Sequence, residues 1–162
     1  MPTQALEKRT ISIEYIAGLF DGEGCISCGR SSKAVPSVHL IVANTNYDVL
    51  EDLQKFWNLG RAYCANLKGI HQPIFKWEVT RAADIVEVLT KLLPYLRIKQ
   101  EQAVFALQLC ERIRDRVGRI GVNINDGEVD IRRGLAAEIS ARNSGSGRKE
   151  THEQIRDTHQ RC

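Results

Sequence analysis

Twice before residue 94, the apolar residues change from helical spacing to strict alternation and back, and this double switch constrains the chain more than any other feature. Ile13, Ile16, Leu19 and Phe20 predict a first helix over 12–20, with Thr10 or Ser12 as its N-cap and Gly22 and Gly24 as its end. Two strands follow over 25–33 and 37–45, around the Val35-Pro36 turn. In the second, Val38, Leu40 and Val42 alternate with Ser37, His39, Ile41 and Ala43. Leu50, Leu53, Phe56 and Trp57 then predict an amphipathic helix over 48–59, stopped by Gly60. A second strand pair, 61–67 and 74–80, is joined by a turn from Lys68-Gly69 to Pro73. It leads into a helix over 81–93 with Ile85, Val88, Leu89 and Leu92 on one face, ended by Pro94. Two more helices are expected, over 98–117 and 128–142, either side of a loop over 118–127.

The order α-β-β-α-β-β-α, with helices appended, defines an α+β domain. Two hairpins form one curved antiparallel sheet, a half-saddle, with the helices covering a single face. Residues 1–11 read as an N-terminal arm, 12–142 as the domain, and 143–162 as a basic Ser/Gly loop and tail. A chain of 162 residues suits one well-buried domain.

Composition excludes several classes. No window approaches eighteen uncharged apolar residues, so no membrane span or membrane partner is expected. The first ten residues carry Glu7, Lys8 and Arg9 without an apolar core, unlike a secretory signal. An intracellular, soluble protein is expected, in the cytoplasm, the nucleoid or an organelle matrix. Five cysteines in no framework spacing suit reduced thiols. Cys25 and Cys28 form a C-x-x-C, but they lie in a strand, where residues three apart face opposite ways, and no second pair follows.

Net charge is only +3, and its distribution says more. Between Cys25 and Tyr47 there is no acid, only Arg30 and Lys33. Between Leu53 and Trp77 there is again none, against Lys55, Arg61, Lys68 and Lys76. These stretches contain the strands, so the expectation is an acid-free sheet face suited to a polyanion.

Gly18 and Gly22 lie four apart on the first helix, beside Ala17 and Asp21. Small residues at that spacing let two helix backbones approach closely, as in packing against a second copy across a two-fold axis. Glu23 follows directly, so each copy would bring one carboxylate to the same place. Two like charges there are unfavourable unless cations lie between them.

The run Ile16-Ala17-Gly18-Leu19-Phe20-Asp21-Gly22-Glu23-Gly24 resembles the signature of the LAGLIDADG homing endonucleases, on a helix leading straight into the first strand. The wider chain is similar to the single-motif, homodimeric, intron-encoded branch of that family. The element order agrees, as do Arg97-Ile98-Lys99-Gln100 after Pro94 and the late Arg148-Lys149 loop, so the likeness covers about residues 12–156. It implies the LAGLIDADG fold and a site-specific double-strand DNA endonuclease promoting intron homing. Such an enzyme works as a homodimer on a long pseudo-palindromic duplex, with Mg²⁺ (Mn²⁺ substituting) and no small-molecule cofactor.

The resemblance also implies roles. Glu23 holds the metal with the Gly22 carbonyl, Asn46 positions the attacking water, and Lys99 polarises solvent or neutralises the scissile phosphate. Ala17, Gly18, Asp21 and Gly22 form the dimer interface. Asn46 also reads as an N-cap for the next helix. A further basic residue that the family carries early in the second helix would fall near Leu50, leaving Lys99 and Arg97 to act for it. The strand faces supply base-reading candidates in Ser27, Arg30, Ser31, Lys33, Ser37 and His39, then Arg61, Lys68 and Lys76. Arg148 and Lys149 suit phosphate contacts, which position without specifying. The rival expectation is a binding module on the same scaffold, an RNA maturase or DNA-binding regulator that does not cleave.

Overall fold

The computed structural model describes residues 10–30, 36–65, 73–115 and 124–143. Within them the elements run α1 (Ile13–Glu23), β1 (Gly24–Arg30), β2 (Pro36–Asn44), α2 (Tyr47–Trp57), β3 (Arg61–Ala65), β4 (Ile74–Val79), α3 (Ala82–Leu92), α4 (Gln100–Arg114) and α5 (Asp126–Asn143). The expected α+β order is the observed one.

The strands form one antiparallel sheet in the order β1-β2-β4-β3. Each hairpin pairs internally, and β2 joins them through β4, with Leu40 opposite Val79 and Val42 opposite Trp77. Alternation decides which face is covered. Ile26, Val38, Leu40, Val42, Trp77 and Val79 are buried beneath the helices, among Phe20, Leu50, Leu53, Ile85, Leu89, Leu92 and Leu109. The other face stays open, as in an antiparallel sheet with one solvated side.

Several ends differ from expectation for identifiable reasons. Ser12 caps α1, its hydroxyl accepting from the Tyr15 N–H at 3.3 Å. Gly22 does not end the helix, which runs on through Glu23, so Glu23 is its last residue. Gly24 makes the turn into β1: a Cβ there would lie 2.7 Å from the Phe20 ring. At the end of α2, Asn58 takes the left-handed conformation (φ 50°) and Gly60 follows at φ 74°. A Cβ on Gly60 would meet the Glu78 carbonyl at 2.7 Å, so both backbone angle and space require glycine. Trp77 seals this corner by donating to the Leu59 carbonyl at 3.0 Å.

Side chains from two helices cover the edge strand β1, a common way of blunting an edge. Gln102 of α4 donates to the Ile26 carbonyl (3.3 Å) and to Asn143 Oδ1 (2.8 Å). Asn143, the last residue of α5, donates to the same Ile26 carbonyl at 2.7 Å. Among the described residues, no helix is long and apolar enough to cross a membrane.

Candidate active site and nucleic-acid face

The end of α1 gathers the motif's chemistry. Asp21 is buried, 9% exposed, and its carboxylate points away from solvent toward the start of α4. Its Oδ2 accepts from the backbone N–H groups of Arg97 (2.7 Å) and Ile98 (3.2 Å), and its Oδ1 from that of Lys99 (3.0 Å). Lys99, the N-cap of α4, makes no side-chain cap bond of its own. α1 therefore supplies the acceptor for the turn that leads into α4, a carboxylate near the positive end of that helix. The Lys99 ammonium in turn donates to the Asp21 carbonyl. This clip brings Lys99 to the C-terminal end of α1, two residues before Glu23.

Glu23 itself is exposed at the helix end, as is Gly22. The last carbonyls of a helix lack intrahelical partners and carry partial negative charge, which Glu23 augments. With Asp21 occupied by three N–H groups, Glu23 is the exposed carboxylate at this helix end, an oxygen donor of the kind hard cations take. One carboxylate is fewer than an all-protein cage supplies. Among the described residues, no group of three or more His, Cys, Asp or Glu side chains converges.

The small-residue face is narrower than the sequence implies. A Cβ on Gly18 or Gly22 would meet nothing within 4 Å, so both present open backbone. Ala17 and Asp21, expected beside them at the interface, are buried within the chain's own core at 1% and 9% exposure. Helical geometry explains this: 17 and 21 share the inward stripe with Phe20, while 18 and 22 share the outward one with the half-exposed Tyr15.

Asn46 is the N-cap of α2. Its Oδ1 accepts from the Asp48 N–H at 3.0 Å, and its own N–H donates to Asn44 Oδ1 at 2.8 Å. Leu50 is fully buried, so a basic residue at that position would sit in the core. Arg97 is exposed beside Lys99.

The register places Ser27, Ser37, His39, Lys76 and Arg61 on the open face, five of the expected readers. Arg30 ends β1 opposite Pro36. Ser31, Lys33, Lys68, Arg148 and Lys149 lie outside the described residues. The face is not acid-free. Glu78, one position past the acid-free stretch, lies on it, because Phe75, Trp77 and Val79 take the covered side of β4 and leave Lys76 and Glu78 outside. That alternation was the signal available in the sequence. Glu78 Oε1 is 3.2 Å from His39 Nδ1, and its Oε2 accepts from the Tyr63 hydroxyl at 3.1 Å. Burial, then the hydrogen bond and charge of Glu78, push the Tyr63 pKa above its ordinary value, which keeps the phenol a donor.

Cys25 faces the open side of β1 and Cys28 the covered side, so the two thiols do not converge. Burial pushes the Cys28 pKa up to about 11. Burial, with the neighbouring charges of Cys28 and Glu111, pushes Cys110 up to about 12.

The four-stranded half-saddle, ending a motif helix on an exposed acid, has the fold of the LAGLIDADG homing endonucleases. This shows in the superposition on LAGLIDADG meganuclease I-AabMI bound to uncleaved DNA, with a TM-score of 0.65 at 14% identity over 85% of this chain and 50% of that one. In sequence, the chain is 26% identical over 111 residues to DNA endonuclease I-CvuI of Chlorella vulgaris, spanning 64% of this chain and 66% of the relative. The homing endonuclease I-CvuI in complex with its target superposes with a TM-score of 0.66, at 24% identity over 80% of each chain. The archaeal intron-encoded homing endonuclease I-Vdi141I complexed with DNA gives 0.64, at 16% identity over 80% of this chain and 82% of that one. No family model matches the chain.

Proposed function

We propose that this chain is a site-specific double-strand DNA endonuclease that cuts with Mg²⁺ as a homodimer on a long pseudo-palindromic target and promotes intron homing. The observation that carries this reading is the end of α1, where open backbone at Gly18 and Gly22 leads directly to an exposed Glu23, with Lys99 clipped alongside by Asp21.

Asp21 is committed to holding α4 and orienting Lys99. Glu23 and the Gly22 carbonyl would hold the divalent cation, which would supply activation of water and stabilisation of the leaving oxygen in an in-line displacement. Lys99 supplies fixed positive charge toward the scissile phosphate, a term worth most when the group is already in place. Asn46 binds α2 through its oxygen, leaving its amide nitrogen to orient water. Ser27, Ser37, Lys76 and Arg61 lie in the major groove with the sheet, and Arg148 and Lys149 contact phosphates.

Two copies are needed because one chain brings one acid and a duplex has two strands. In support, the chain matches 80% of I-CvuI but only 50% of I-AabMI and 46% of I-GzeII, as one half of a longer enzyme would. The packing face is the outward stripe of Gly18 and Gly22. Ala17 and Asp21 act from behind it, keeping the stripe small and the helix fixed.

The test is a plasmid carrying the two flanks of the gene joined as an uninterrupted locus. Mg²⁺ or Mn²⁺ should give linear plasmid. Ca²⁺, larger and less demanding of geometry, should support binding without cutting. Cleavage that persists in excess EDTA would overturn the metal-assisted reading.

A further inference from the structure

Affinity for a polyanion gives no reason to place a carboxylate at the centre of the open face, yet Glu78 is held there from both sides. Its Cα partners are Ile41 of β2 and Arg61 of β3. His39 and Tyr63 each contact one carboxylate oxygen, and the His39 and Glu78 side chains remain 31% and 26% exposed. With Nδ1 donating to the carboxylate, a neutral His39 offers Nε2 as an acceptor, and the Ser37 hydroxyl lies 3.2 Å from it. Arg61 extends the group, its guanidinium 5.8 Å from the centre of the Tyr63 ring. Each carboxylate oxygen thus uses one acceptor direction within the chain and keeps another. His39, expected among the base readers, spends Nδ1 on Glu78 and Nε2 on the Ser37 hydroxyl.

A fixed acceptor in the major groove discriminates between bases. Guanine and thymine present acceptors there, O6 and N7 or O4, and a carboxylate repels them. Cytosine N4 and adenine N6 present amino donors, and a carboxylate complements them. We infer that Glu78, positioned by His39 and Tyr63, reads an exocyclic amino donor, cytosine N4 or adenine N6, at one base pair of each half-site and rejects keto bases there. The inference rests on the DNA-reading function proposed above.

The test is selection of bound duplexes from a randomised library in Ca²⁺, using the wild type, Glu78→Gln and Tyr63→Phe. The wild type should prefer an amino base over a keto base at one symmetric position by about tenfold or more. Glu78→Gln, whose amide both donates and accepts, should reduce this to less than about threefold while other positions keep their preferences. Tyr63→Phe should fall between the two, and thermal melting checks that both variants fold. In the selected duplex, replacing cytosine by uracil or adenine by hypoxanthine swaps the donor for an acceptor and identifies which base is read. The wild type should lose about tenfold in affinity on the matching swap and Glu78→Gln little. A Glu78→Gln selection indistinguishable from wild type at every position would overturn the inference alone. A wild type that enriches no sequence would overturn it together with the function it rests on.

Discussion

Asp21 and Glu23 stand two residues apart on α1 in opposite surroundings, one buried against three backbone N–H groups and the other exposed. Sequence alone offers two acids and the motif's spacing. The three N–H partners of Asp21 lie 76 to 78 positions away and become visible only in the fold. Lys99 is on the other side of the same clip. Lys99→Met should slow single-turnover cleavage by about 10²-fold, the scale of losing one positioned electrostatic group, with binding little changed. An unchanged cleavage rate would remove Lys99 from the site. Asn46 carries two roles that separate by substitution. Asn46→Ala should lower stability by about 1 kcal/mol through loss of the cap, and Asn46→Asp, an equally good cap, should restore it. If Asn46 also orients water, cleavage by the Asp variant stays slow despite its wild-type melting temperature, and full-rate cleavage would leave Asn46 a cap alone.

At the level of elements, α1 and α4 depend on each other. Asp21→Ala leaves the three N–H groups of the turn leading into α4 without their acceptor and should cost roughly 2–4 kcal/mol, measured by denaturant unfolding. An effect below about 0.5 kcal/mol would mean that water replaces the carboxylate. The thiols between β1 and α4 set a second expectation. Above the ordinary thiol value of 9.0 the unfolded chain ionises Cys28 and Cys110, whereas the folded chain holds both protons until about 11 and about 12. The folded state then binds more protons, so stability is fully present below pH 9.0 and falls as pH rises toward 11. Cys110→Ala should flatten that alkaline limb in pH-dependent unfolding; an unaltered slope would exclude Cys110 as its source. All nine described elements were legible in the sequence, because core-facing residues impose period 3.6 or 2 on it. The open face was only partly legible. Ser37, His39 and Lys76 follow from alternation, whereas Glu78 lies just outside the acid-free stretch and reaches the face through the parity of β4. Gly22 resembles a helix stop in the sequence, but α1 runs on through Glu23, and Gly24, pressed against Phe20, turns the chain.

At the scale of the whole molecule, the proposed dimer would pair the open backbone of α1 with its copy and bring one exposed acid from each chain to the duplex. Gly18→Leu fills the open stripe without touching the chain's own core, so it should leave the fold intact and separate the copies. Sedimentation on target DNA should show two chains per duplex for the wild type and one for the variant. A wild type that binds its target as a monomer would contradict the dimer. The most direct test of the central claim is Glu23→Gln, which keeps the side chain's size and removes the charge that holds the cation. On one duplex, a gel-shift titration and a cleavage time course in Mg²⁺ are compared with wild type. Binding should persist, since affinity comes mainly from basic residues spread over the saddle, and cleavage of both strands should be lost. Wild-type cutting by Glu23→Gln, or tight binding by a wild type that never cuts, would contradict the account.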